Sequence, residues 1–74
     1  MKDTLNNLNL GTEGKIEALN CSGSIRRRLL DLGLIKDTKI IPIFRSPSGD
    51  PIAYEVRGCI IALREEDSKN IDIY

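Results

Sequence analysis

Three adjacent arginines, Arg26, Arg27 and Arg28, are the residues whose type and spacing most directly indicate binding chemistry. Guanidinium groups are planar forks of N–H donors that match carboxylates and phosphates. At the start of a predicted helix these cations lie near the positive end of the helix dipole, which is mildly unfavourable. Another interaction should therefore favour them. The triplet predicts a docking surface for an acidic or phosphate-bearing partner.

A structural interpretation of the arginines stays open beside the docking one. Arg27 and Asp31 have the i, i+4 spacing of a helical ion pair, in the less favourable order, and such a pair contributes about 0.3 kcal/mol. Arg26 or Arg28 could instead pack its aliphatic stem on the protein and donate to a backbone carbonyl. We expect one arginine to be structural and at least one to serve a partner.

Two leucines after the arginines have two alternative roles. Leu30 lies off the apolar stripe of the predicted helix, and Leu34 could fold back onto Leu29 where the helix ends. They are either core and cap residues or an apolar spot beside the arginines, as at an interface centre with a charged rim. The docking hypothesis uses Leu30 and Leu34 as anchors.

A second candidate surface surrounds the loop at residues 46–51, which is dense in turn-forming residues. Asp50 could hydrogen-bond its own backbone in a simple hairpin connection. Asp50 and Tyr54 could instead line a peptide-binding groove like that of SH3 domains. Proline-rich ligands need an aromatic-lined groove, and the chain has one Phe, two Tyr and no Trp. The groove is therefore the weaker alternative.

Residues for catalysis or tight metal binding are scarce. The chain has no histidine, which removes the commonest general base and the commonest transition-metal ligand. We therefore predict that it is not an enzyme and requires no cofactor. Glu65, Glu66 and Asp67 form an acidic cluster that is either a solvated turn or a weak hard-cation site. Cys21 and Cys59 form no C-x-x-C pair and are predicted to be free thiols.

Length and charge limit the class of protein. The chain has 74 residues with 11 basic and 11 acidic side chains, and we interpret residues 1–74 as a single domain. Balanced charge gives no general attraction to nucleic acid or anionic lipid. No apolar run is long enough to span a membrane, and the polar start Met1–Asn7 lacks the apolar core of a secretory signal. We expect a soluble, cytoplasmic protein.

The residues around the arginines predict a short helix from Ile25 to Leu32. Ser24 precedes it and is a good N-cap, because its hydroxyl can accept from a free backbone N–H of the first turn. The core-facing stripe, at i, i+4 and i+7 spacing, consists of Ile25, Leu29 and Leu32. Gly33 fits the left-handed position that follows a helix, so the helix should end there.

Short strands surround this helix. Alternation and β-branched residues predict strands at residues 15–19, 39–45, 52–57, 59–63 and 71–73, with one helical turn at 64–69. Pro42 makes its strand an edge strand or gives it a bulge, and Arg57-Gly58 is short enough for a tight hairpin. The strand at 59–63 is the most uniformly apolar and should be the more buried. The pattern predicts a mainly β fold, a small five-stranded barrel with one helix inserted after the first strand.

The order and spacing of these motifs resemble the ferrous iron transport protein A (FeoA) family. The matching segments are Arg-Arg-Arg-Leu-Leu-Asp-Leu-Gly-Leu at 26–34, Gly-Asp-Pro-Ile at 49–52, Val-Arg-Gly at 56–58 and Ile-Ala-Leu-Arg at 61–64. The resemblance implies an SH3-like barrel. It also implies a cytosolic accessory role in bacterial ferrous iron uptake, binding and modulating FeoB, a membrane iron transporter with a cytosolic GTP-hydrolysing domain.

The same small domain also resembles the C-terminal SH3-like module of iron- and manganese-dependent repressors. The alternative function is therefore a metal-responsive regulatory module. Weak binding of ferrous iron would fit either resemblance, although the sequence assigns no metal ligands. We expect no nucleic-acid partner and no direct membrane insertion. Recruitment to the inner face of the membrane would come through the transporter.

Overall fold

Alternating apolar residues form the strands of one antiparallel sheet, which the computed structural model describes for residues 3–74. Met1 and Lys2, which begin the polar start of the chain, lie outside the described residues. The strands are β1 (Asp3–Thr4), β2 (Gly14–Leu19), β3 (Lys39–Arg45), β4 (Ile52–Val56), β5 (Cys59–Leu63) and β6 (Ile71–Ile73). The helices are α1 (Gly23–Asp31) and α2 (Glu65–Ser68), and a 3-10 turn spans Leu5–Asn7.

The order of strands in the sheet is β1-β6-β2-β3-β4-β5, with antiparallel pairing throughout. This confirms the predicted class, a mainly β fold with a helix inserted after the first predicted strand. The structure adds the two-residue strand β1, which pairs with β6 and is too short to show alternation. Within residues 3–74, β1 and β5 are the outer strands and each has a strand partner on one side.

The C-terminus of α1 is closed by the predicted Schellman motif. Gly33 has a φ of +93°, a conformation that is unfavourable for residues with a Cβ atom. The Gly33 N–H donates to the Leu30 carbonyl at 2.9 Å, and the Leu34 N–H donates to the Leu29 carbonyl at 3.0 Å. These bonds satisfy carbonyls at the helix end and turn the chain so that Leu34 enters the core.

The start of α1 lies earlier than predicted. The helix begins at Gly23, and Ser22, in an extended conformation, takes the N-cap position that the sequence assigned to Ser24. No side-chain hydrogen bond caps this end, although serine is a favoured capping residue. The prediction of a Ser24 cap is therefore wrong, and the serine did not decide where the helix begins.

The apolar face of α1 is narrower than predicted. Leu29 is buried, but Ile25 and Leu32 are exposed, so the predicted stripe is wrong at both of its ends. The helix has nine residues, and its buried residue, Leu29, lies in the last turn. Leu29 and the cap residue Leu34 make the contact with the core.

β3 has the predicted bounds, and Pro42 takes the bulge alternative. The register between β3 and β4 shifts between Pro42 and Phe44, so that Ile43 and Phe44 together lie opposite Ala53. β3 is an interior strand, between β2 and β4. Because proline has no N–H to donate, an irregularity at this point lets it stay within the sheet.

A two-residue turn joins β4 to β5, as predicted. Arg57 and Gly58 have φ values of +53° and +82°, as in the type I′ turn of tight hairpins. The expectation that β5 is well buried is wrong, because Leu63 alone among its five residues is buried. β5 is an outer strand with β4 as its strand partner, so its outward side chains meet solvent.

The core lies on the inner side of the sheet and beneath α1. Its buried apolar side chains are Leu5, Ile16, Leu29, Leu34, Ile40, Ile52, Tyr54, Val56, Leu63, Ile71 and Ile73. Full burial of a large aliphatic side chain contributes roughly 1.5–3 kcal/mol. Two residues that the sequence proposed for partner binding, Leu34 and Tyr54, belong to this core.

Candidate functional site

Arg26 connects α1 to the sheet. Its Nη1 donates to the carbonyl oxygen of Leu19, the last residue of β2, at 3.2 Å. Arg26 therefore takes the structural role that was one alternative for the triplet. The bond is exposed and contributes about 1 kcal/mol or less, so its main effect is to orient the start of the helix.

Arg27 has no ionic partner among residues 3–74. The ion pair that the described residues form joins Arg64 to Asp50, at 3.6 Å. The Arg27–Asp31 pair is therefore not formed, which removes the local explanation for this cation. An exposed guanidinium that has no partner among the described residues can direct its donors to a carboxylate or phosphate of another molecule.

A shallow depression surrounds Arg27 on the exposed face of α1. Its lining residues are Gly23, Ser24, Arg26, Arg27, Leu30 and Asp31. Leu30, 39% exposed, follows Arg26 by four residues and Arg27 by three, so the helical repeat places it beside both. Of the two alternatives for Leu30, the structure shows the surface one.

A second depression, which we call the α1–β2 groove, continues from this surface toward the sheet. Its walls are Arg26 and Leu30 of α1, Glu17 and Leu19 of β2, and Ile35 and Lys36 of the loop before β3. The groove opens because β2 pairs with β3 at its first two residues, whereas its later residues pair with β6 on the opposite side. The two depressions share Arg26 and Leu30, so they form one continuous surface.

Leu34 lies at the floor of the α1–β2 groove and cannot anchor a partner. Its side chain is fully buried, because the Schellman turn directs it into the core. The predicted partner-binding role of Leu34 is therefore wrong. Ile35, 45% exposed, takes its place in the groove wall. The sequence contained a hint of this, since adjacent side chains in extended backbone point to opposite sides.

Arg28 faces a different part of the surface. It lines a groove with Ile25, Ala62 and Arg64, beside the acidic residues Glu66 and Asp67 near α2. Successive residues of a helix point about 100° apart, from 3.6 residues per turn, so three adjacent arginines cannot share one face. Arg26 and Arg27 belong to the continuous surface described above, and Arg28 does not.

Asp50 supports the start of α2 and lies apart from the arginine surface. Its Oδ1 accepts from the Glu65 N–H at 2.9 Å, and its Oδ2 lies 3.6 Å from Nη1 of Arg64. A carboxylate at a helix N-terminus satisfies a backbone donor that the helix leaves free. Asp50 thus belongs to a structural loop, as the hairpin alternative had it, and also bonds residues distant in sequence. It lines neither depression of the arginine surface.

Tyr54 is fully buried, so the SH3-type groove that it was to line with Asp50 is not present at this position. It lies on the inner side of β4, where alternation buries every second residue. The pKa of Tyr54 is raised, and burial is the largest cause. Nearby Ser68 and Arg45 act to lower this pKa, and Asp50 acts to raise it. Ser68 is close enough to act on this pKa, yet no hydrogen bond of acceptable geometry reaches the Tyr54 hydroxyl from residues 3–74.

Metal-binding side chains do not converge in the part of the chain that the structure describes. No group of three or more His, Cys, Asp or Glu residues there could hold a metal ion. Cys21 and Cys59 are free thiols, as predicted. The surface around α1 offers an exposed guanidinium, exposed leucine and isoleucine side chains and a groove.

Comparison with known proteins adds a family. A family model described as the FeoA domain matches residues 4–74. A fusion of Fe(2+) transport protein A and the Fe(2+) transporter FeoB from Porphyromonas gingivalis is 28% identical over 69 residues. That match covers 93% of this chain and 8% of the fusion protein, so this chain corresponds in length to a small part of its relative.

Solved structures share the fold. Iron(II) transport protein A from Clostridium thermocellum superimposes with a TM-score of 0.90 at 27% identity, covering 95% of this chain and 43% of that chain. Stenotrophomonas maltophilia FeoA complexed with zinc, a procaryotic SH3 domain protein, gives 0.86 at 28% identity, covering 96% and 88%. A manganese-dependent transcriptional repressor gives 0.88 at 15% identity, covering 99% and 36%. At that identity the repressor shares the fold alone.

Proposed function

Because this chain belongs to the FeoA domain family, we propose that it is an accessory protein of bacterial ferrous iron uptake. It binds the cytosolic part of a FeoB-type membrane iron transporter and modulates it. The Porphyromonas gingivalis relative, in which the two proteins are fused, supports this partner. Fusion raises the effective concentration of two modules for one another, which is useful where they bind each other.

The observation that carries the proposal is Arg27 beside Leu30 on α1. Arg27 lacks an ionic partner among the described residues, and Leu30 offers an exposed apolar contact at the same depression. Arginine and a buried apolar contact at the centre of a polar rim are typical of protein interfaces. We propose that a carboxylate of the transporter meets Arg27 while an apolar side chain packs on Leu30 and Ile35.

Binding without chemistry is sufficient for this role. The chain acts as a module that changes the transporter's conformational equilibrium, and a ligand does so by binding one state more tightly than the other. No cofactor is required. Ferrous iron is the cargo of the transporter, and any binding of it to this chain is weak.

The transporter determines where this chain works in the cell. No helix within residues 3–74 has the length and apolar character that crossing a membrane requires. We propose that the chain is cytoplasmic and reaches the inner face of the membrane by docking on its partner. No nucleic acid takes part in this proposal.

A charge reversal tests the surface. Arg27→Glu should weaken co-purification with the cytosolic part of the cognate FeoB-type transporter, and lower its affinity about tenfold or more, as expected for an interface residue of the hot-spot class. Leu30→Asp should have a similar effect. Circular dichroism and thermal unfolding should match the unaltered protein, since both side chains are exposed.

Arg45→Glu is the matched control. Arg45 is an exposed arginine on β3 that lines neither depression of the arginine surface. It should leave transporter affinity unchanged within about twofold. Equal losses for Arg27→Glu and Arg45→Glu would mean that general charge drives the association. Unchanged affinity for both Arg27→Glu and Leu30→Asp would refute the surface assignment.

The alternative, a metal-responsive module like that of the repressors, has the shared fold as its support. It predicts localised shifts of the backbone amides of Glu65, Glu66 and Asp67 when ferrous or manganous ion is titrated under NMR observation. Shifts that saturate at micromolar metal would favour it over transporter docking. Broad, non-saturating shifts would indicate the weak binding that the docking proposal allows.

A further inference from the structure

The face of the sheet that is turned away from the core carries a second set of exposed apolar side chains. Every second residue of β4 is buried, so Ala53 and Glu55, which lie between them, point to the outer face. Strand pairing places Phe44 of β3 and Ala62 of β5 on either side of Ala53. One row across the outer face is therefore entirely apolar.

The neighbouring row contains a carboxylate between two isoleucines. Ile41 of β3 and Ile60 of β5 pair with Glu55 from opposite sides. Ile60 is 61% exposed, more than any other large apolar side chain in residues 3–74. Glu55 is thus held in a partly apolar setting, where a charge needs a partner if water is removed.

The β-bulge enlarges the apolar area. Because Ile43 and Phe44 lie together opposite Ala53, two consecutive side chains project on the side where a regular strand would place one. Both are exposed, at 45% and 59%. We call the whole set the outer-face patch: Ile41, Ile43, Phe44, Ala53, Ile60 and Ala62.

Contiguous apolar area of this kind is uncommon on a monomeric surface and commonly marks an interaction site. The patch is also separate from the arginine surface, because no residue lining either depression there belongs to it. Two partners could therefore occupy the two surfaces at once, one on each side of the domain.

We infer that the outer-face patch is the interface of a symmetric homodimer, in which a second copy of this chain packs its outer face against the first. The charges of the face are self-complementary. Lys39 precedes Ile41 by two residues on β3 and so lies on the same face, where it is exposed. In the proposed dimer Lys39 of each copy meets Glu55 of the other, a contact that the two-fold axis makes twice.

A protein surface fits the patch better than a lipid surface does. On the outer face of β3, β4 and β5 the cation is Lys39, with Lys15 of β2 as its pairing partner, because Arg45 pairs with the buried Ile52 on the inner side. Binding to an anionic membrane needs several basic residues around the apolar area. Beyond Ala62, the surface carries two arginines and two acidic residues, a balanced rim like that of protein interfaces.

Sedimentation equilibrium of the whole chain over a wide concentration range tests the dimer. The unaltered protein should show a reversible monomer–dimer equilibrium. Phe44→Asp and Ile60→Asp should each raise the dissociation constant about tenfold or more, as truncation of a central apolar contact does. Ile35→Asp is the matched control, since Ile35 is as exposed as Ile43 but lies in the α1–β2 groove. It should leave the equilibrium unchanged.

Charge reversal at the patch distinguishes a specific dimer from general adhesion. Lys39→Glu alone sets an introduced carboxylate against Glu55 of the other copy, and Glu55→Lys alone sets an introduced ammonium group against Lys39 of the other copy. Each should weaken self-association about tenfold, because like charges then meet where opposite charges did. In an equimolar mixture of the two variants the heterodimer has opposite charges at both contacts, and so does the homodimer of the double variant. Each should therefore recover affinity relative to either single variant alone, and the double variant should come close to the unaltered protein.

Two results would overturn the inference. A monomer at every concentration up to millimolar would show that the patch does not bind a second copy. A dimer that survives Phe44→Asp and Ile60→Asp in folded protein, verified by amide NMR spectra, would place the interface elsewhere. Because no transporter is present in these measurements, their outcome is independent of the docking proposal.

Discussion

The two sides of this small domain differ in chemistry. Around α1, the exposed surface combines guanidinium groups with leucine and isoleucine above a groove, and Arg26 and Arg27 give it a cationic centre. On the outer face of β3–β5, apolar side chains dominate and enclose one carboxylate, Glu55. The first surface suits a partner that supplies its own anions. The second carries both charges that it needs and suits a copy of itself.

The difference shows how a chain of 74 residues can present two surfaces of different chemistry. A domain of this size buries about 60% of the surface of its unfolded chain, so a sheet with one inner face must leave the other face outside. In a solvated antiparallel sheet that outer face is ordinarily polar. Here it is apolar across three strands, so the outer face departs from what folding of a monomer alone requires.

The largest expected effect is the difference in unfolding free energy between substitutions at the floor of the α1–β2 groove, Leu34, and at its wall, Leu30. Leu34→Ala removes a fully buried side chain and should lower the free energy of unfolding by about 2–5 kcal/mol. Leu30→Ala removes a side chain that is 39% exposed and should cost less than about 1 kcal/mol. Urea unfolding followed by circular dichroism measures both.

Leu34→Val is the milder variant for this comparison, should Leu34→Ala be too unstable to measure. Leu34→Val should still lower the free energy of unfolding more than Leu30→Ala does. The atoms around a buried side chain are closely packed, so a change in its volume and shape leaves contacts unfilled. If Leu30→Ala and Leu34→Ala cost the same, Leu30 would belong to the core and the arginine surface would lose its exposed leucine.

A smaller change in the free energy of unfolding is expected at Tyr54, on the inner side of β4. Its hydroxyl has no hydrogen bond of acceptable geometry among residues 3–74. Replacing a buried, unbonded polar group with a hydrogen is close to neutral or stabilising. Tyr54→Phe should therefore change the free energy of unfolding at neutral pH by less than about 1 kcal/mol, with no loss of the fold.

The same tyrosine predicts a loss of stability in alkali. Burial raises the pKa of Tyr54 above the ordinary value of 10.0, so as pH rises the unfolded chain loses this proton before the folded chain does. The contribution of protonated Tyr54 to the free energy of unfolding is fully present below about pH 10. It is lost as pH rises from there through the raised pKa of the folded state. Tyr54→Phe should unfold with a weaker alkaline dependence, whereas Tyr74→Phe, at an exposed position, should behave like the unaltered protein.

Local chemistry explains what the sequence predicted well. Gly33 alone can adopt the left-handed φ after α1 without strain, and the short Arg57-Gly58 segment between two strands implies a tight turn. Each of these features depends on a few neighbouring residues, so pattern and geometry agree. The sequence left Leu30 open between a core role and a surface role, and the structure shows the surface one.

Features that depend on residues distant in the sequence could not be predicted from local sequence patterns. The apolar sequence of β5 suggested burial, but its place at the end of the sheet order exposes Ile60. Ile25 has the spacing of a core residue, yet the short helix buries Leu29 instead. The outer-face patch was missed for the same reason, since it exists only when the register brings Phe44 and Ile60 to the same face.

The smallest expected effect is the difference between the two surfaces in how their binding affinity depends on salt. Raising ionic strength from 0.1 M to 1 M shortens the Debye length from about 10 Å to about 3 Å, which screens contacts of the exposed Arg27. Transporter binding should weaken by a few-fold, since an exposed charge pair contributes about 1 kcal/mol or less. Self-association of a variant with Lys39→Met and Glu55→Gln, which keeps the apolar contacts of the outer-face patch without the charge pair, should change by less than about twofold, because apolar burial is insensitive to screening. Measured on one sample series, equal salt responses would contradict the assignment of a cationic surface to α1 and an apolar one to the sheet.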